Sequence, residues 1–360
     1  MTEVLLRELS NADLDWMLAN GQHHHLPAET IICQPQQQPT DVYLLLDGAI
    51  ALTPPSSAPN AGSLPVDSTL TSEPLVTLTD GELLGETALL NLPPLGLEAR
   101  VLQDSTTLRL PYLVLQDKLQ QDKAFAAHFN RAIALLLSER LRRMYERPER
   151  LRFTQGRSAK EAMFVLGEMR DSDIDWLTTM GEIQRYAPND FLVKAGRSVE
   201  ALYVILDGGF AVLAAEGARN PLTLCFACPI QTASTMDAIT TLSKGEMAGM
   251  VAFLDFRPMP VTIRAAEDSL VLTVPRQTLA IKLLQDLSFA ARFYRVVAIQ
   301  VCNIIQTVVE QLGYARQTYD QGKDLDETEF EGELDLDSLQ QMSQGAARFN
   351  WMLKQLGVAV

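Results

Sequence analysis

The sequence predicts a mainly β protein with helices, built twice from one unit of short strands closed by a long helix. Three observations predict it. First, the chain repeats. Asp13-Leu14-Asp15-Trp16 returns as Asp173-Ile174-Asp175-Trp176, and Tyr43-Leu44-Leu45-Leu46-Asp47-Gly48 as Tyr203-Val204-Ile205-Leu206-Asp207-Gly208, both 160 residues on. Gly81-Glu82, Gly85, Arg100, Asp104-Ser105 and Pro111 return as Gly245-Glu246, Gly249, Arg264, Asp268-Ser269 and Pro275, 164 residues on. An offset that changes only once, between Gly48 and Gly81, where a loop can absorb the insertion, marks a duplication. Second, short apolar alternations are broken by glycine, proline and Asp-Gly, the pattern of a sandwich, jelly roll or barrel. Third, each unit ends in a long segment with apolar residues at helical spacing.

Taken in order, each unit opens with a short helix, Asp13 to Ala19 and Ser172 to Met180, with Asn11 and Asp171 or Ser172 as N-caps. Trp16 and Trp176 sit at the same place on these helices and read as core residues. Tyr43–Leu52 and Tyr203–Leu213 read as strands turning at Asp-Gly inside a hairpin. Val101–Leu110 and Ala265–Val274 alternate before a proline. Pro54–Pro74 and Ala214–Ile239 are the least repeat-like parts and read as inserted loops. The first long helix buries Phe125, Phe129, Ile133, Leu136, Leu137, Leu141 and Met144, with Glu139, Arg140, Arg142 and Arg143 facing away. The second, from Phe289 to Leu312, is apolar nearly all round, so it packs on two sides. The two long helices are expected to pair inside one chain as a pseudo-dimer.

This gives domains at 1–147 and 148–317, an acidic linker at 318–337 and a short helix at 338–360. Between Tyr319 and Asp337 nine carboxylates stand against Lys323 alone, so mobility is expected there. Ser338–Leu356 is amphipathic and is expected to dock as a helix. The whole chain, with 30 basic and 45 acidic residues, carries a net charge of −15. That balance disfavours a phosphate-backbone partner. No apolar run reaches the roughly 20 residues of a membrane span. Four cysteines make no disulfide scaffold, which agrees with a reducing cytoplasm. The expectation is therefore a cytoplasmic protein with neither nucleic-acid nor membrane partners.

The stretch Asp80-Gly81-Glu82-Leu83-Leu84-Gly85-Glu86-Thr87-Ala88-Leu89-Leu90, with Pro93-Pro94 after it, resembles the phosphate-binding cassette of cyclic-nucleotide-binding domains. These are the domains of catabolite-activator-type regulators and protein kinase A regulatory subunits. The second copy, Lys244 to Leu254, is degenerate. The resemblance implies two jelly-roll-like β-rolls of about eight strands, each followed by a long helix. It implies a ligand site at Gly85, Glu86, Thr87, Ala88 and Leu95, with a second at Gly249, Met250 and Met259. In the family the cassette glutamate bonds a ribose hydroxyl and an arginine nine residues on pairs with the cyclic phosphate. Glu86 matches the glutamate, but Leu95 stands at the arginine position, and the second copy carries Met250 and Met259. Loss of a charge-assisted contact costs on the order of 2–5 kcal/mol. The first cassette thus keeps one of two groups and the second neither, so the second is expected to be inactive. Arg100 and Arg264 lie on the outward face of a strand and do not replace the lost arginine.

Other chemistry is weak. His23-His24-His25 cannot all face one metal from a strand, and His128 stands apart. Cys225-Phe226-Ala227-Cys228 lacks a second pair for zinc and reads as buried thiols. No nucleophile–base pair, paired carboxylates or P-loop is present, so no enzyme, cofactor or metal is expected. No winged-helix pattern follows the second unit. The leading expectation is a non-enzymatic regulatory or scaffold protein acting through protein contacts with an unidentified protein partner. The alternatives are a sensor of a non-cAMP small molecule or altered nucleotide through the first cassette, and, disfavoured, a DNA-binding regulator.

Overall fold

The structure, a computed structural model, describes residues 3–35, 37, 39–53, 74–145, 166–214, 238–311 and 336–358. The first unit runs α1 (Glu3–Glu8), α2 (Asn11–Asn20), β1 (Gln22–Leu26), β2 (Ile31–Cys33), β3 (Asp41–Thr53), β4 (Val76–Leu78), β5 (Leu83–Leu84), α3 (Glu86–Leu89), β6 (Glu98–Pro111), α4 (Tyr112–Gln121) and α5 (Lys123–Tyr145). The second runs α6 (Asp171–Met180), β7 (Glu182–Tyr186), β8 (Phe191–Val193), β9 (Ala201–Asp207), β10 (Phe210–Ala214), β11 (Ala238–Leu242), β12 (Met247–Ala248), α7 (Met250–Asp255), β13 (Val261–Ala265), β14 (Ser269–Pro275), α8 (Arg276–Gln285) and α9 (Leu287–Gln311). A final helix, α10, spans Leu336–Gln355.

The two units share one antiparallel plan. In the first, β6 pairs with β1, β2 and β3, and β3 pairs with β4 and β5. In the second, β14 pairs with β7 and β9, while β13 pairs with β8 and β10. The long strands β3 and β6 each do the work of two strands in the second unit, β9 with β10 and β13 with β14.

Asp47-Gly48 is not the hairpin turn that its sequence suggests. β3 passes through it without reversing, and only its register against β6 shifts. Asp207-Gly208 marks the point where the chain leaves one sheet for the other. In both units a serine lies against the glycine at this point. Gly48 has φ +119°, and a Cβ there would lie 2.0 Å from Ser105 Oγ. That hydroxyl accepts from Ala49 N at 3.2 Å. Ser269 repeats the contact on Gly209 N at 3.2 Å.

The opening helix starts at Asn11, two residues before the expected Asp13. Ser10, not Asn11, caps α2, accepting from Asp13 N at 3.2 Å while the Asp13 carboxylate accepts from Ser10 N at 2.8 Å. In the second unit Asp173 accepts from Arg170 N at 2.8 Å. Each aspartate then ties its helix to the unit's own long helix. Asp13 meets His128 Nδ1 at 2.8 Å, and Asp173 takes two bonds from Arg292 at 2.6 and 2.8 Å. Trp16 and Trp176 are half-buried, resting on Phe125 and Phe289 at centroid distances of 5.2 and 5.5 Å.

The helices α5 and α9 pack against each other along the centre of the molecule. Phe129, Leu136 and Leu137 on α5, and Val297, Val301 and Val308 on α9, are fully buried. Asn130 Nδ2 donates across the seam to Ala291 O at 3.0 Å. The face of α5 expected to be exposed is not so: Arg140 and Arg142 are both buried. The physical reason is that each guanidinium finds an anion: Arg140 pairs with Glu86 of its own unit, and Arg142 with Asp255 of the second.

Helix α10 lies on α6, with Phe349, Met352 and Leu353 buried. Its Arg348 bonds Asp171 and Gly167 O, both at 2.8 Å, and Trp351 Nε1 donates to Asp175 at 2.8 Å. The acidic segment up to residue 335, most of both inserted loops, and Cys225 and Cys228 lie outside the described residues.

Two outcomes are expected. Leu137→Ala should cost about 2–5 kcal/mol in urea unfolding, and both units should melt together. The second concerns Asp13. Burial works to raise its carboxyl, and hydrogen bonds from Ser10 and His128 more than offset this, holding it below its ordinary value. A depressed carboxylate contributes stability above its unfolded-state pKa of about 3.9 and loses it as pH falls through the folded value. The stability gap between the wild type and Asp13→Asn should therefore be widest at neutral pH and close as pH drops below about 4.

Candidate functional site

Each cassette is built from a turn, a left-handed glycine and a very short helix. The turn is held by the motif's first glutamate. Glu82 is fully buried and accepts from Thr79 N at 2.7 Å and from Arg143 at 3.2 Å. Glu246 does the same for Ser243 N at 2.7 Å. Gly85 and Gly249 then enter α3 and α7 with φ +97° and +85°. A Cβ at Gly85 would lie 2.6 Å from Asp41 O, so glycine is required there.

Glu86, the expected ligand group, is not open to a ligand. It is 3% exposed, and its Oε1 is bonded by Arg140 Nη1 at 2.5 Å. Arg140 is 2% exposed and also donates to Leu83 O. The pair is walled by Leu83, Ile133, Leu136 and Leu137, with no room beside it for a water. Burial works to lower the Arg140 pKa, but the carboxylates of Glu86 and Glu82 outweigh it and raise the value above that of a free arginine. Glu86 Oε2 and Arg140 Nε have no partner among the described residues. Thr87 is buried, while Ala88 and Leu95 are half-buried, Leu95 against the core. The first cassette thus holds a guanidinium from the chain's own helix.

Arg140 was missed in the sequence, although a signal existed. Ile133, Leu136, Leu137 and Arg140 fall at i, i+3, i+4 and i+7, so Arg140 belongs to the buried stripe by spacing alone. The second cassette shows the apolar counterpart. With the 164-residue offset, Glu86 corresponds to Met250 and Arg140 to Ile304. Met250 and Met259 are buried, so the second cassette position is filled by its own side chains. Arg142 of α5 grips the end of α7, bonding Asp255 at 2.6 and 3.0 Å and Pro258 O at 2.8 Å. Arg257 pairs with Asp255 and Glu139. On the first side, Arg295 of α9 donates to Leu89 O at the end of α3 at 2.7 Å.

The remaining candidates lie apart. Arg100 pairs at the surface with Glu98 at 2.7 Å and Glu29 at 3.4 Å. His23, His24 and His25 are exposed on β1. Among the described residues no cluster of three or more His, Cys, Asp or Glu could hold a metal, and no helix is long and apolar enough to cross a membrane.

Against known proteins, the model of the cyclic nucleotide-binding domain matches residues 23–122 and 183–286, more than half of the chain. Among solved structures, the regulatory subunit of a cAMP-independent protein kinase A from Trypanosoma brucei is 15% identical, over 78% of this chain and 84% of that one, with a TM-score of 0.27. The corresponding subunit from Trypanosoma cruzi, bound to guanosine, is 13% identical over 79% and 85%, with a TM-score of 0.27. A c-di-GMP-responsive global regulator of Xanthomonas campestris is 14% identical over 39% and 62%, with a TM-score of 0.32. No curated protein matches the chain.

The repeat itself suggests the test of the buried pair. Arg140→Ile leaves Glu86 buried and unpaired and should cost about 3–5 kcal/mol. The double change Glu86→Met with Arg140→Ile copies the second unit and should recover most of that loss in urea unfolding.

Proposed function

The chain belongs to the cyclic nucleotide-binding domain family, with two such domains in tandem, and from that premise we propose a non-enzymatic regulatory protein that acts through protein contacts without cAMP or cGMP. The observation that carries this reading is the buried Glu86–Arg140 pair. A cyclic nucleotide entering the first cassette must displace Arg140 from Glu86. It would then meet Leu95 where the family places a phosphate-binding arginine. In the second unit, Met250 and Met259 offer a ribose or a phosphate no charged or hydrogen-bonding partner. The same pair argues against the alternative of a small-molecule sensor working through the first cassette. The net charge of −15 argues against a DNA-binding regulator.

Titration calorimetry of the full chain with cAMP and cGMP should show no binding tighter than about 1 mM, a free energy weaker than about −4.1 kcal/mol. Sub-micromolar affinity for either would overturn the reading. Leu95→Arg alone should not restore binding, because Glu86 stays occupied. Leu95→Arg combined with Arg140→Ile should restore measurable affinity at the first site.

A further inference from the structure

The second unit keeps an open cleft of about 270 Å³ that no cassette residue lines. Its walls are β8, the loop that follows it and Tyr203 of β9: Phe191, Lys194, Arg197, Ser198 and Val199 complete the part that matters. We propose that this cleft binds a small organic anion carrying a single planar ring, with Lys194 and Arg197 taking the charge and Phe191 and Tyr203 the ring. The inference goes beyond the proposed function, since it needs neither an open nor a closed first cassette.

Four observations carry it. The first is charge in the wrong place. In a chain of net charge −15, Lys194 and Arg197 bring two cations to one concavity, and neither has a carboxylate partner among the described residues. The second is an exposed aromatic. Phe191 is 48% exposed on a strand whose next two residues are buried, and the Lys194 ammonium sits 4.4 Å from its ring centroid. A cation, an aromatic face and the half-buried ring of Tyr203 thus share one open concavity. Such a mix of apolar walls and a few convergent polar groups is what small-molecule sites are made of.

The third is that the loop is anchored. Gly196 N donates to Met259 O at 2.9 Å, and Met259 N donates to Arg197 O at 3.0 Å. The backbone that carries the two cations is therefore tied to the core segment beside it. The fourth is the internal control. In the first unit the matching residues, 160 earlier, are Ile31 for Phe191, Gln34 for Lys194 and Gln37 for Arg197. The duplication has kept the tyrosine, Tyr43 for Tyr203, while in sequence the charge and the aromatic ring occur at these positions in the second unit alone. A merely solvated loop gives no reason for both to change together.

The volume lies just below the range typical of drug-sized ligands, roughly 300–1,000 Å³. That limits the occupant to about one ring with one anionic group. Carboxylate and phosphate esters share this chemistry, and the two cations serve either.

The test is calorimetry on the full chain with phenyl phosphate and benzoate, set against inorganic phosphate and phenol. The expected result is that at least one ringed anion binds clearly more tightly than either inorganic phosphate or phenol. The variant Lys194→Gln with Arg197→Gln, which copies the first unit, should weaken it on the order of 10- to 100-fold. Its melting temperature without ligand should be unchanged, because both side chains are exposed. Phe191→Ile should weaken the ringed anion while leaving inorganic phosphate unaffected. Three outcomes would overturn the proposal: no ringed anion binding, equal binding by phosphate alone, or undiminished binding by the Gln variant. Failure here is distinguishable from failure of the cAMP reading, because the Lys194→Gln with Arg197→Gln variant leaves Glu86, Leu95, Met250 and Met259 intact.

Discussion

The molecule depends on one buried ion pair, Arg140 on Glu86. A guanidinium and a carboxylate taken from water carry a large desolvation cost, recovered only if both stay together in good geometry. Here one partner sits on the long helix α5 and the other at the start of the cassette helix α3. Neither element can move away without stranding a charge in an apolar enclosure. Glu82, bonded by the neighbouring Arg143, adds a second tie between the same helix and the same turn. The cassette of the first unit is thereby fastened to the seam where α5 meets α9, and the fold of one unit is linked to the packing of the other.

The duplication lets each unit explain its twin. Tryptophan on phenylalanine, aspartate on the long helix and serine under the strand corner occur in both copies at matching positions. These are what any such roll needs to close. The differences are the pieces free to diverge: a charged pair against Met250 and Ile304, and two glutamines against Lys194 and Arg197. Replacing a buried ion pair by apolar residues of similar volume is often close to neutral, so the positions of such a pair can diverge between the two copies.

Much of this was legible in the sequence. A repeat whose offset shifts only once, two glycine-centred cassettes and two apolar helical stripes are periodic signals, and periodicity survives without coordinates. What stayed hidden depended on a partner far away in the chain. Spacing puts Arg140 on the buried stripe, but its partner Glu86, 54 residues earlier, is identified only by the fold. Asp47-Gly48 looks like a turn because its residue types favour one, and only the pairing with β6 across the sheet shows the strand running through it. Lys194 and Arg197 look like ordinary loop charges until the cleft they border is drawn.

The crossed grip at the seam has a thermodynamic consequence. Arg142 of the first unit's helix holds the end of α7, and Arg295 of the second unit's helix holds the end of α3. Each half thus clasps the other's short helix, and the two clasps share the α5–α9 interface. Linkage requires that influence through such a joint run equally in both directions. Whatever free energy an event at one roll imposes on the other, an event at the second must return in the same amount. Within this single chain neither roll can be regulator without also being regulated.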